Sequence, residues 1–201
     1  MARRSMAGRP EATSHDAIEQ AAFALFAERG FEGTTLDDIA TAVGVTRRTL
    51  FRYYRSKNDI PWGQFDRSLQ EFRHLLDAQP HAVPIGEALE RAIVDFNRFP
   101  ADAVPAHDVR MRLILETPAL QAHSTLMYGQ WRAEVSRFVA RRLDVAEGDL
   151  VPNLAGHVAL AVARTAYEQW LAGRHHSSDR LISLLEESLT ALHEVFTPTR
   201  S

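Results

Sequence analysis

Apolar residues recur at spacings of three and four along almost the whole chain, the period of helices that bury one face. Ile18, Ala21, Ala22, Leu25 and Phe26 form the first stripe. Ser14 can cap its start, with Asp16 beside it, and Gly30 stops it. Leu36, Ile39, Ala40 and Val43 form the second, between Thr35 and Gly44. The Thr35 hydroxyl can accept from a free N–H a turn later, and Gly44 suits the left-handed residue that ends a helix. Thr46 caps a third helix whose buried side is Leu50, Tyr53 and Tyr54. Ser56 opens a fourth, in which Pro61 is tolerated in the first turn and Trp62, Phe65, Leu69, Phe72 and Leu76 run on to about Ala78.

Prolines punctuate the chain beyond this helix. A loop at 79–84 precedes a helix over 85–99 carrying Leu89, Ile93 and Phe96, and the segment 100–105 breaks the chain again. Helices are expected over 108–116, from Pro118 to about Leu143, over 151–172, and over 179–196, where Leu181, Leu184, Leu185, Leu189 and Leu192 make a stripe. Strand-like alternation and internal repeats are not evident in the sequence. The expected fold is all-α, with about nine helices.

The 201 residues are 45% hydrophobic and 24% charged, an ordinary globular composition, and the formal net charge is −3. The distribution is more telling. Residues 1–10 carry Arg3, Arg4 and Arg9 and no acid; residues 44–57 carry Arg47, Arg48, Arg52, Arg55 and Lys57 and no acid. Residues 61–201 hold 14 arginines against 18 acids. A local basic footprint on an acidic body fits docking to nucleic acid by one end. The chain has no cysteine, which excludes disulfides, thiolate metal sites and cysteine nucleophiles and is compatible with the cytoplasm. Apolar runs stay well short of the ~18 residues a membrane span requires, and the basic start has no apolar core behind it, so neither a membrane anchor nor a secretory signal is expected.

Two short helices joined by a tight Gly-containing turn, the second of them basic, is the arrangement of a major-groove reader. Arg47 and Arg48 fall in the first turn of the second helix, where a guanidinium can bond guanine O6 and N7 in bidentate fashion. The same residues can also bind phosphate or simply form a solvated basic face. Thr35, Thr46, Thr49, Arg52, Tyr53 and Lys57 are candidate phosphate anchors. The two threonines Thr35 and Thr46 are also caps, and Tyr53 is also a candidate for the core. Lys57 at a helix start is slightly unfavourable for the helix dipole but reasonable if both attract a phosphate.

The stretch FAERGFEGTTLDDIATAVGVTRRTLFRYYRSK, residues 26–57, resembles the DNA-binding domain of the TetR family of bacterial repressors, the likeness covering roughly residues 12–60. It departs from many such sequences at Arg48, where a small residue is usual. The resemblance implies a double-stranded DNA operator, a homodimer and a C-terminal domain that binds a small effector. The corresponding division is a basic flexible arm at 1–13, a helix–turn–helix domain at 14–58, and a ligand-binding and dimerisation domain at 59–201.

In that last region FNRFP (96–100), VRMRLILETPALQAHSTLMYGQWR (109–132) and AYEQWL (166–171) mix aromatic, apolar and a few polar residues. Each aromatic side chain alone could be plain core. Together they suit a mostly apolar ligand pocket, with Phe96, Phe99, Met111, Leu115, Met127, Tyr128, Trp131, Tyr167 and Trp170 as its wall. With NDIPWG (58–63), these segments look like the TetR-type regulators associated with mycofactocin gene clusters. That resemblance implies control of genes for a redox cofactor made from a ribosomal peptide, and a long-chain acyl-CoA as a plausible effector. Arg110, Arg112 or Arg132 would then face its phosphates, unless they pair with Glu116 or Glu134. Apolar stripes on the last two helices, with the small residues Ala155, Gly156, Ala159 and Ala163, exceed what one chain needs and point to a dimer bundle. A catalytic constellation is not evident, His175 and His176 lie in a polar turn with no metal-ligand spacing around them, and neither enzyme activity, cofactor nor metal is expected. The rival reading is a ligand-independent DNA-binding dimer controlled by a protein partner.

Overall fold

A computed structural model describes residues 13–196. The expected basic arm, with Arg3, Arg4 and Arg9, therefore lies outside the described residues apart from Thr13. The described residues form nine α-helices and one 3-10 turn, in two compact units that meet in sequence between Gly63 and Gln64.

The first unit holds α1 (His15–Gly33), α2 (Leu36–Ala42), α3 (Arg47–Leu50) and the 3-10 turn Lys57–Trp62. The three α-helix starts are capped as local chemistry requires. The Ser14 hydroxyl accepts from the Ala17 N–H at 3.2 Å. Thr35 and Asp38 form a reciprocal capping box, and the Thr46 hydroxyl accepts from the Thr49 N–H at 3.2 Å. Gly30, at φ 75°, interrupts α1 before Phe31 folds back, and Gly44, at φ 70°, turns the chain between α2 and α3. Ile18, Phe23, Phe26, Phe31, Ile39, Leu50 and Tyr54 are buried in this unit.

The second unit contains α4 (Phe65–Asp77), α5 (Ile85–Phe96), α6 (His107–Glu116), α7 (Pro118–Leu143), α8 (Leu150–Ala172) and α9 (Ser178–Phe196). The long α7 and α8 pack along each other, α9 packs on α8, and α4 and α5 close the core from the other side. Phe72, Ile93, Trp131, Val135, Phe138, Ala166, Trp170 and Leu181 are among its buried residues.

Three expectations change. The fourth helix is not continuous from Ser56 to Ala78: the 3-10 turn ends at Gly63, whose φ 60° and ψ −139° belong to glycine, and α4 starts beyond it. The apolar period runs through that break, so periodicity could not show it. The helix expected over 85–99 stops at Phe96, because Pro100 disfavours helical backbone at Phe99; the Phe99 N–H instead lies 3.4 Å from the Ser178 hydroxyl. Finally, Gly156, Ala159 and Ala163 are buried within the chain itself. They allow close approach inside one copy and are not surplus left for a second.

Candidate functional site

The recognition helix α3 is only four residues long, and its residues are held from several directions. Leu50, fully buried, anchors α3, and helical hydrogen bonding continues past it, with the Tyr54 N–H bonding the Leu50 carbonyl at 3.1 Å. Tyr54 is buried and donates its hydroxyl to Glu19 at 2.6 Å, a partner on α1 that periodicity did not reveal. The opposite side is exposed: Thr46, Arg47, Arg48, Phe51, Arg52 and Arg55 face solvent. The sequence placed Arg47, Arg48 and Arg52 on one outer face, and the fold brings them together there.

Their states differ. Arg47 Nη1 lies 3.2 Å from Asp37 Oδ2 on α2, and its guanidinium stands 5.4 Å from the Phe51 ring centre. Arg48, Arg52 and Arg55 make no side-chain ion pair or hydrogen bond among the described residues. Thr46 and Thr49 share a hydroxyl–hydroxyl bond of 3.0 Å on the exposed face, beside Arg47.

Two candidate anchors point inward. The Lys57 ammonium donates to the carbonyls of Phe31 (2.7 Å) and Thr34 (2.9 Å) and lies 4.3 Å from the Phe31 ring centre. Two of its three N–H donors are thus used inside the unit, on carbonyls close to the end of α1, which pins the side chain there. The Tyr53 hydroxyl donates to the Thr13 carbonyl at 2.8 Å, which uses the donor a phosphate would need. Thr35 is exposed, but its hydroxyl serves the capping box.

In the second unit the nine pocket candidates fall into two aromatic groups and a fringe. Trp131 stacks on Phe72 at 4.8 Å, and Phe96 meets the same ring at 4.8 Å. Phe99, Tyr167 and Trp170 surround His107, with Phe99 stacked on it at 4.2 Å. Met111 and Leu115 are half-buried against this core; Met127 is half-buried, and Tyr128 lies 5.8 Å from the Arg164 guanidinium. Trp170 is fully buried and donates its indole N–H to the Ser177 carbonyl at 3.1 Å.

His107 and Asn97 are the residues sequence reasoning missed. Tyr167 donates to Asn97 Oδ1 at 2.8 Å, and Asn97 Nδ2 donates to the Ile93 carbonyl at 2.8 Å. The single phenolic proton is thereby used, so His107 Nε2, 2.9 Å from the Tyr167 oxygen, is the donor in that bond. Burial, reinforced by the charge of Arg110, pushes the imidazole down to about 4, and burial pushes the Tyr167 phenol up. Asn97 lay in the FNRFP segment, so a polar residue between two phenylalanines was the available signal. For His107 only its position after a proline-rich break gave a hint.

The three arginines considered for effector phosphates have neighbours of their own. Arg112 bonds Glu116 at 2.8 Å, the pairing alternative, and also the Leu171 carbonyl at 3.0 Å. Arg132 lies 2.8 Å from a His157 ring nitrogen and not against Glu134. Glu134 instead binds Arg73 and Arg137, linking α4 to α7. Arg110 lies close enough to His107 to act on its charge.

Comparison with known proteins decides what carries this face. Residues 18–60 match the family described as "Bacterial regulatory proteins, tetR family", and residues 83–197 match the "MftR C-terminal domain". A Mycobacterium tuberculosis protein named "Putative mycofactocin biosynthesis transcriptional regulator MftR" is 42% identical over 186 residues, covering 92% of this chain and 91% of that one. This chain belongs to the TetR family. Its C-terminal domain is of the MftR type, and the family is one of DNA-binding transcriptional regulators, not enzymes. The TetR-family chain is also 27% identical over 196 residues to the HTH-type transcriptional regulator TcmR of Streptomyces glaucescens, covering 93% of this chain and 86% of that one. In fold it resembles the fatty acid degradation regulator FadR of Bacillus halodurans, with a TM-score of 0.60 at 16% identity, over 89% of this chain and 97% of that one. Among the described residues, no helix is long and apolar enough to cross a membrane.

Proposed function

We propose that this TetR-family chain is a homodimeric, ligand-responsive repressor of a mycofactocin-type gene cluster. The observation that carries the DNA reading is the exposed row Arg47, Arg48 and Arg52 on a capped, buried-side-anchored helix within a helix–turn–helix. Arg47 reads base edges from the major groove, while Thr46, Arg48, Thr49 and Arg52 hold flanking phosphates. Two copies joined through α8 and α9 present two such helices one DNA turn, ~34–36 Å, apart to a palindrome. Support for a protein-covered surface is the exposure of Leu150, Val151 and Leu154 at the start of α8 and of Val195 near the end of α9.

The effector is a largely apolar molecule, with a long-chain acyl-CoA the leading chemical class. The aromatic groups around Phe72 and His107, with a buried polar chain of Asn97, Tyr167 and His107, support a site that selects an apolar body by shape and a few polar contacts. Effector binding shifts the population toward a conformation with weaker operator affinity, a coupling of ~1–3 kcal/mol in typical cases. Footprinting on the intergenic DNA beside the gene, with and without a panel of acyl-CoAs, tests both halves. Protection of a palindrome, released by one acyl-chain class, is the expected result. Protection that no acyl-CoA relieves would sink the effector assignment and favour control by a protein partner.

A further inference from the structure

We infer that Asp37, on the helix that precedes the recognition helix, is a positioning residue that sets DNA specificity by holding Arg47. The inference rests on the reading of Arg47 as a base reader. Asp37 Oδ2 and Arg47 Nη1 are 3.2 Å apart across the turn, and both side chains are more than half exposed, at 65% and 55%. An exposed pair of this kind contributes little to stability, so folding alone gives no strong reason for it. The capping box of α2 is completed by Thr35 and Asp38, so Asp37 serves the helix start only through its charge, a small contribution at an exposed site.

The geometry around Arg47 is three-sided. Asp37 holds one terminal nitrogen, Phe51 lies 5.4 Å from the guanidinium carbon, and Thr46 precedes it at the helix cap. A guanidinium has five N–H donors in a rigid planar fork. One edge can stay on Asp37 while the other presents two parallel donors to guanine O6 and N7. Held this way, the fork loses less conformational freedom on binding, which favours the one base pair that matches its orientation. The carboxylate has a second effect of opposite sign. It puts a negative charge into a basic face that otherwise attracts any phosphate backbone, and so weakens binding to DNA at large. Arg48 and Arg52 carry no such partner among the described residues, so the chain divides its arginines. Arg47 is oriented and partly neutralised for discrimination, and the others remain available for general attraction.

The two effects give a signature that a structural role would not. A duplex is selected from a randomised library with the wild-type protein, and affinity for it is compared with affinity for a scrambled duplex of equal length by fluorescence anisotropy at fixed salt. Asp37→Asn is expected to lower the ratio of selected to scrambled affinity about tenfold, with binding to the scrambled duplex unchanged or tighter. Asp37→Glu is expected to recover part of the ratio. On an Arg47→Ala background, Asp37→Asn is expected to leave the ratio where Arg47→Ala alone puts it. An equal loss on both duplexes, with a lowered melting temperature, would overturn the proposal in favour of a folding role. So would an unchanged ratio in Asp37→Asn when Arg47→Ala lowers it, and in that case the assignment of Arg47 as a reader survives. If Arg47→Ala leaves the ratio intact, the reader assignment fails, and the proposal fails with it.

Discussion

Gly156 on α8 lies against Arg132 on α7 so closely that a Cβ added to the glycine would stand 2.8 Å from the Arg132 carbonyl oxygen. The Ser136 hydroxyl would be 2.9 Å away. The nearest obstacle is backbone, which cannot rotate aside. Gly156→Ala therefore forces α7 and α8 apart, and the overpacking cost of ~1–3 kcal/mol outweighs the ~1 kcal/mol that alanine gains in a helix interior. Gly86 on α5 is the control, because a Cβ there meets nothing within 4 Å. Thermal unfolding should show a fall for Gly156→Ala and no loss, or a small gain, for Gly86→Ala.

Glu134 is 4% exposed, yet its carboxylate accepts from Arg73 Nε at 2.8 Å and from Arg137 Nε at 3.0 Å. Burial works to raise its pKa; the bonds and charges of the two arginines outweigh burial and hold it below the ordinary glutamate value. Glu134→Ala should cost about 2 kcal/mol by denaturant titration, since it removes the carboxylate that joins Arg73 of α4 to Arg137 of α7 and leaves Asp77 to link those helices by charge. That contribution is present above the unfolded pKa of 4.5 and is lost as pH falls through the lower folded value.

His107 acts in a different window. In the unfolded chain it takes a proton near 6.5, but in the fold not until about 4. Between those values the unfolded state binds more protons, so stability rises with pH across the window and falls as pH drops from 6.5 to 4. The swing is on the order of 3 kcal/mol. His107→Phe should flatten it, measured by urea unfolding at several pH values. A slope that survives the substitution would place its origin in another group.

Lys57 and Arg48 make opposite predictions although both are basic. Lys57→Ala removes two bonds to carbonyls at the end of α1 and should lower the melting temperature while leaving the salt dependence of DNA binding nearly unchanged. Arg48→Ala should leave the melting temperature alone. It should weaken operator binding, reducing the slope of log K against log salt by about 1 if Arg48 neutralises a phosphate.

Whatever depended on neighbours within one turn was legible from residue order. The caps at Ser14, Thr35 and Thr46, the stops at Gly30 and Gly44, and the long helix Pro118–Leu143 follow from local donors, acceptors and backbone preference. So did the basic outer face of Arg47, Arg48 and Arg52, because a helix leaves one side of a short segment outward once Leu50 is buried. What each polar group reaches for depended on packing between distant segments. Lys57 sits 26 residues from the Phe31 carbonyl it binds, Tyr54 is 35 from Glu19, and Tyr167 is 70 from Asn97. An amphipathic stripe states that a face is buried and not what covers it, which is why Gly156, Ala159 and Ala163 read as surplus for a second chain and proved to pack within one. Residue order alone thus specified the helix caps and the sign of the reading face, while the break at Gly63 ran under an unbroken apolar period. Which arginine on that face is held, and which are left without an ion-pair partner, came from a turn that brings Asp37 to Arg47, an electrostatic pairing that no periodicity encodes.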